Sequence, residues 1–188
     1  MVRLRPLPLA ELDAEQAAVW DRITSSRKPG KLDLVDADGG LIGPFNAMVH
    51  APGVGRHLAS LGAALRFESS LDRRLIEIAT CAVGGHWRSE FELWAHRPLA
   101  VAAGVNPTAV DQLANDDDPT FERDDEAVVF EVTRQLLRTG RCDDATFERA
   151  HALLGDRGVV ELTALVGYYC TISLLLNMFE VPVPPTGR

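Results

Sequence analysis

The chain has 188 residues, 46% of them apolar and 24% charged, which suits one compact globular domain with a hydrophobic core. Its formal net charge of −8 argues against nucleic acid or an anionic lipid surface as a partner. The three cysteines, Cys81, Cys142 and Cys170, are too scattered for a disulfide framework or a zinc cluster, so a reducing, cytoplasmic setting is expected. Arg3 and Arg5 are followed by no apolar run, so no signal peptide is read there.

The periodicity along the chain is helical almost throughout, with no segment that reads as a strand. A first helix is expected from about Ala14 to Ser25, with Val19, Trp20 and Ile23 inward. A loop rich in Gly, Asp and Lys follows over 26–43 and reads as mobile. Residues 1–43 thus form an N-terminal helix with its loop, and 44–188 the main helical domain, together one compact unit. Pro44 opens a short helix to Val49, and His50-Ala51-Pro52-Gly53 turns the chain into another that ends near Phe67. Ser70 is the expected N-cap of a helix over 71–83, closed by Gly84-Gly85.

Next comes a helix from about Trp87 to Ala103. On it Ser89, Glu92 and His96 share one stripe at i, i+3 and i+7. Apolar residues flank that stripe on both sides, and only Glu90, Leu93 and Arg97 face water. A hydroxyl, a carboxyl and an imidazole therefore stand where burial is expected, and a buried charge is costly unless paired or used. Beyond it, Asn106-Pro107 starts a further helix and Asp116-Asp117-Asp118-Pro119 forms a solvated acidic loop, not a metal site. Helices follow over about Asp124–Thr139, Asp144–Leu154 and Gly158–Phe179, then an extended, Pro-rich tail. The stretch Leu162–Phe179 carries no formal charge and approaches membrane-spanning length. Its Thr, Tyr, Ser and Asn residues and flanking Glu161 and Glu180 favour a core helix or one buried between subunits, and no membrane is expected.

Glu77, Ser89, Glu92 and His96 carry a wider pattern. They resemble the signature of the carboxymuconolactone decarboxylase and alkylhydroperoxidase D superfamily, whose peroxide-reducing members place Cys-x-x-Cys between the Glu and the His. The offsets put Ser89 and Glu92 at the two cysteine positions. The resemblance extends to Gly43–His50, to Gly158–Leu162, and to Tyr168-Tyr169 and Asn177–Glu180. It implies an all-α, alkylhydroperoxidase D-like helical bundle without a sheet, acting as a homotrimer or homohexamer on a small-molecule substrate.

Dithiol peroxidase chemistry needs an attacking thiolate and a resolving thiol, and Ser89 and Glu92 can be neither. The resemblance then implies the decarboxylase branch: a lyase or isomerase that moves protons on a small carboxylated lactone or carbonyl acid, with no metal and no organic cofactor. His96 is the expected acid or base, Glu92 its hydrogen-bond partner or a second acid/base group, and Ser89 a holder of substrate or water. Glu77 belongs to the catalytic set by its family offset; by helical position it projects on the polar side, towards Arg73 and Arg74. Arg88, His86, Asn46, His50 and Tyr168 are candidate substrate-binding residues. Reversing the chain between Gly84 and Gly85 would bring Glu77 level with Glu92, unless His86 and Trp87 loosen the turn. Two rival readings are a peroxidase of the alkylhydroperoxidase type using Cys81, and a non-catalytic binding protein on the same fold.

Overall fold

The computed structural model describes residues 3–25 and 34–184, and the described residues are helical apart from short connections. After a single 3-10 turn, Leu9–Glu11, the helices are α1 (Ala14–Ser25), α2 (Pro44–His50), α3 (Pro52–Phe67) and α4 (Arg73–His86). They continue with α5 (Glu90–Ala102), α6 (Pro107–Ala114), α7 (Asp124–Thr139) and α8 (Asp144–Met178). The chain divides into two compact units, one ending at Ala64 and including Leu175–Pro182, the other holding Leu65–Leu174. The division falls inside α3 and not at residue 43.

In the first unit α1 packs on α2, with Val19, Ile23, Phe45, Met48 and Val49 buried. The described part of the 26–43 loop is ordered: Leu34 and Leu41 are buried, and an isolated bridge pairs Val35 with Leu41. Asp36 closes this turn by accepting from the N–H groups of Asp38 and Gly40. Residues 26–33 of this loop lie outside the described residues.

The second unit is built around α4, which packs against α5, α6 and α7 and is buried from Arg74 to Gly85. Its N-cap is Asp72, which accepts from the Arg74 N–H, and not Ser70. Ser70 is used differently: its N–H and hydroxyl, and the Ser69 hydroxyl, all donate to Glu161 on α8. Buried Arg74 joins the starts of two helices, reaching Asp125 at 2.6 Å and Glu126 at 2.5 Å on α7.

Gly84 and Gly85 do not end α4; both lie inside it. Their value is the missing side chain. A Cβ on Gly85 would lie 2.0 Å from the carbonyl oxygen of Leu113, so α6 approaches α4 only over a glycine. The stop comes at Arg88, whose φ of 50° closes a Schellman motif with Ser89 N–H bonded to Gly84 O and Arg88 N–H to Gly85 O. This left-handed conformation costs a non-glycine residue roughly 1–2 kcal/mol. Because α4 runs longer than expected, α5 begins at Glu90, with Ser89 at its N-cap.

The last helix is broken at Gly155 (φ 65°, ψ 178°), which separates the two helical segments expected from sequence. Among the described residues, α8 is the one helix long and apolar enough to cross a membrane by length and composition. It instead contributes Leu162, Leu165, Val166, Tyr168, Tyr169 and Ile172 to the core of the second unit.

Glu161 ties this helix to the start of α4. Burial pushes its carboxyl up, but the hydrogen bonds from Ser70, Arg157 and Ser69 outweigh that and lower it from 4.5 to about 2. A depressed carboxylate contributes stability that is fully present above its unfolded value and lost as pH falls through the folded one. Glu161→Gln should therefore cost about 1–2 kcal/mol at neutral pH. The difference from wild type should shrink as pH falls from about 4.5 to about 2, read by urea unfolding at a series of pH values.

Candidate active site

His96 is 5% exposed on α5, and each ring nitrogen faces a carboxylate. Nδ1 lies 2.7 Å from Oε2 of Glu77, which projects from α4 and has no exposure at all. Nε2 lies 3.4 Å from Oε2 of Glu92, one turn earlier on α5 and 4% exposed. The other oxygen of Glu77, Oε1, is 2.5 Å from the guanidinium of Arg73.

Protonation states follow from this chain of contacts. A guanidinium is always charged, so Glu77 opposite Arg73 is a carboxylate and can only accept. The His96 Nδ1–H must therefore be the donor to Glu77, which fixes the tautomer and leaves Nε2 on the side of Glu92. The gap from Nε2 to Glu92 exceeds the usual N–H···O range of about 2.7–3.2 Å, so Nε2 is not committed to a short bond. An oriented imidazole with one uncommitted nitrogen beside a second carboxyl is an acid/base unit.

The level pairing across the helix hairpin differs from the expected one. The reversal is carried by Trp87 and Arg88, beyond the glycines, and Glu77 meets His96 through a 2.7 Å side-chain contact, whereas a turn at Gly84-Gly85 would have put it level with Glu92. Its burial also corrects the reading of Glu77 as a surface residue; the pair with Arg73 forms, but the carboxylate end lies in the core.

Ser89 has no exposure, and its hydroxyl caps no helix N–H and has no hydrogen-bond partner among the described residues. Tyr169 was not singled out from the sequence, yet its ring stands edge-on to His96 at 5.2 Å between centroids, and its buried hydroxyl also lacks a partner. Burial drives this phenol far above its ordinary range, so it stays neutral. No helical periodicity distinguishes Tyr169 from Tyr168, which is buried with its ring edge-on to Tyr169.

Other candidates lie elsewhere. Arg88 is exposed at the turn. His86 is half-buried, 4.0 Å from Asp116, and lines a separate cleft with Asp117, Phe130, Arg134 and Arg138. Asn46 and His50 belong to the first unit, where they hold the N-terminal segment. Asn46 accepts from Leu7 N–H and donates to Arg5 O, and His50 Nε2 donates to the same carbonyl at 2.9 Å. The structure thus gathers Glu77, Glu92 and His96, adds Arg73 and Tyr169, and gives Asn46 and His50 structural partners.

At the level of sequence, no family model and no curated protein matches the chain. Among solved structures, an uncharacterized peroxidase-related protein from Ralstonia eutropha, described as an alkylhydroperoxidase AhpD core, superposes with TM-score 0.76 at 16% identity, over 97% of this chain and 92% of that one. The chain has an alkylhydroperoxidase D-like fold. A peroxidase-related protein from a Silicibacter species shares this fold with TM-score 0.67 at 14% identity, over 85% and 94% of the two chains. The debrominase Bmp8 does so with TM-score 0.71 at 11% identity, over 97% and 92%.

On this alkylhydroperoxidase D-like scaffold the thiol of Cys81 on α4 lies in the field of Glu77 and Glu92 and is fully buried. Burial first, then the charges of Glu77 and Glu92, push it far above its ordinary value, so it stays a thiol and a poor nucleophile. Iodoacetamide at mildly alkaline pH should label Cys81 only when the protein unfolds, as followed by mass spectrometry. Labelling in the native state at the rate of the denatured chain would contradict this placement.

Proposed function

We propose that the protein is a cofactor-independent lyase or isomerase that performs general acid/base chemistry on a small carboxylated lactone or related carbonyl acid. One observation carries the reading: a buried imidazole is oriented by Glu77 through Nδ1, while Nε2 remains uncommitted beside Glu92. Ser89 and Glu92 stand where the peroxide-reducing relatives carry sulfur, so the proton, and not an electron pair from a thiolate, is what this site is equipped to move.

In the decarboxylating direction, the carbon–carboxylate bond breaks and its electron pair passes into the conjugated carbonyl system. Carbon dioxide leaves, and the carbanionic carbon takes a proton from the His96–Glu92 pair, which recovers one from water. In isomerisation the same pair removes a proton at one carbon and returns it at another. A neutral, buried phenol such as Tyr169 suits an oxygen on which charge develops, because a donor in a dry site is worth more than in water.

The test is turnover of a panel of enol-lactone carboxylic acids by wild type and His96→Ala. Positioned acid/base groups contribute roughly 10²–10⁴-fold, so the variant should lose at least about a hundredfold in kcat. Full activity in the variant would falsify the proton-transfer role.

Self-association is proposed with it, as a homotrimer or homohexamer in the cytoplasm. The supporting feature is the outer face of α8, where Val160, Thr163, Ala164, Gly167, Thr171 and Leu174 form an exposed stripe without a formal charge. Wild type should sediment well above the 20.5 kDa of one chain, and Gly167→Arg should return it to a monomer. A wild-type monomer in sedimentation velocity would end this part of the proposal.

A further inference from the structure

The start of α5 is built differently from the starts of its neighbours. A helix leaves its first N–H groups without intrahelical partners, and a side chain at the N-cap ordinarily accepts from one of them. Asp72 does this for α4 and Asn106 for α6, each at the second residue of its helix. At α5 the N-cap is Ser89, with extended backbone (φ −87°, ψ 91°), and its hydroxyl caps nothing. The Ser89 carbonyl oxygen accepts from Leu93 N–H at 3.0 Å, as an N-cap carbonyl should. The N–H groups of Glu90 and Phe91, the first two of the helix, donate to no acceptor among the described residues.

Exposure does not account for this arrangement. Ser89 has none and Phe91 is 4% exposed, so bulk water does not serve the Ser89 hydroxyl. A buried polar group that makes no hydrogen bond is costly to the fold. Other buried hydroxyls turn back on their own helix: Thr80 donates to Ile76 O and Thr133 to Val129 O. An N-cap residue has no earlier turn of its own helix to use in that way. Ser89 and the two N–H groups can all donate, and they stand at the positive end of the helix dipole, where an anion is favoured. A carboxylate presents two acceptor oxygens, so one can take the hydroxyl and the other a first-turn N–H. Glu90 and Glu92 stand in the same turn and disfavour an anion of higher charge. A carboxylate, and not a phosphate, is the fit.

We propose that the N-terminus of α5 is the carboxylate anchor of the substrate site, with the Ser89 hydroxyl and the Phe91 N–H holding a carboxylate of a small acid. The anchor rests on the acid/base reading for what lies beyond it. Ser89, Glu92 and His96 share one face of α5, about 4.5 Å of rise from the first to the second and about 10.5 Å from the first to the third. A small acid held at Ser89 therefore extends along that face towards His96. The carboxylate held is one that the reaction keeps: hydrogen bonds to a departing carboxylate would stabilise the ground state and be lost as carbon dioxide forms. Neither the proton held by His96 nor that held by Glu92 enters into the anchor.

The probe is 2-furoate, a five-membered-ring carboxylate, added to the full chain and followed by calorimetry and by amide nitrogen-15 NMR. Wild type should bind it saturably, with the Phe91 amide among those that shift. Neutral 2-furamide and inorganic phosphate should bind at least about tenfold more weakly. Ser89→Ala should bind 2-furoate about tenfold to a hundredfold more weakly, the loss expected for one hydrogen bond to a charged group. Its thermal unfolding midpoint should not fall, because the hydroxyl has no partner within the described residues. No saturable binding of 2-furoate, equal binding of 2-furamide or phosphate, or an unchanged affinity in Ser89→Ala overturns the proposal. A lowered midpoint or a failure to fold in Ser89→Ala overturns it equally, since that marks a hydroxyl needed by the fold. Absent turnover on the enol-lactone panel would remove the proposed activity and leave the 2-furoate result standing, so the two failures are distinguishable.

Discussion

Glu77 is a carboxylate placed in the core of a helical unit with no path to water, and the rest of the site is arranged around the cost of that charge. Breaking a buried ion pair by removing one partner costs about 3–5 kcal/mol, because the remaining charge is left uncompensated. Arg73 forms an ion pair with one oxygen, and His96 a hydrogen bond with the other. The consequence reaches the chemistry directly. A carboxylate that can only accept dictates which nitrogen of His96 carries the fixed proton, and therefore which nitrogen is available for work.

That arrangement depends on how the α4–α5 hairpin closes. If Gly84-Gly85 had ended α4, the reversal would have come two or three residues earlier and Glu77 would have faced Glu92, carboxylate against carboxylate. Neither glycine has a positive φ, so the helix continues through both, and Gly85 is needed for the close approach of α6. The turn falls instead at Arg88, a residue that pays roughly 1–2 kcal/mol to adopt the left-handed conformation. With the reversal there, the His96 ring reaches Glu77 at 2.7 Å.

The same scaffold carries proteins described as peroxidase-related and a debrominase, so the fold alone does not select a reaction. Ser89 and Glu92 cannot exchange disulfides, and Cys81, buried near two carboxylates, is held as a thiol. Beside them stand an oriented imidazole, a neighbouring carboxyl, and buried hydroxyls on Ser89 and Tyr169 that have no hydrogen-bond partner among the described residues.

The helical architecture and part of the site, Glu92 and His96 on one face of α5, were legible in the sequence. Helix bounds such as Ala14–Ser25 and Asp124–Thr139 were legible because amphipathic periodicity and terminal residues are local signals. The stripe of Ser89, Glu92 and His96 was legible for the same reason, since i, i+3 and i+7 lie on one face whatever surrounds the helix. Only the tertiary structure decided which partner each group meets. Arg73 at i−4 from Glu77 looks like an ordinary surface pair until α5 closes over the carboxylate, and Tyr169 is one of two adjacent tyrosines until α8 turns its ring onto His96. Spacing along a helix encodes a face, but burial and pairing across helices depend on where the turn falls, and that was set by close packing at Gly85 and the conformation of Arg88, which no periodicity records.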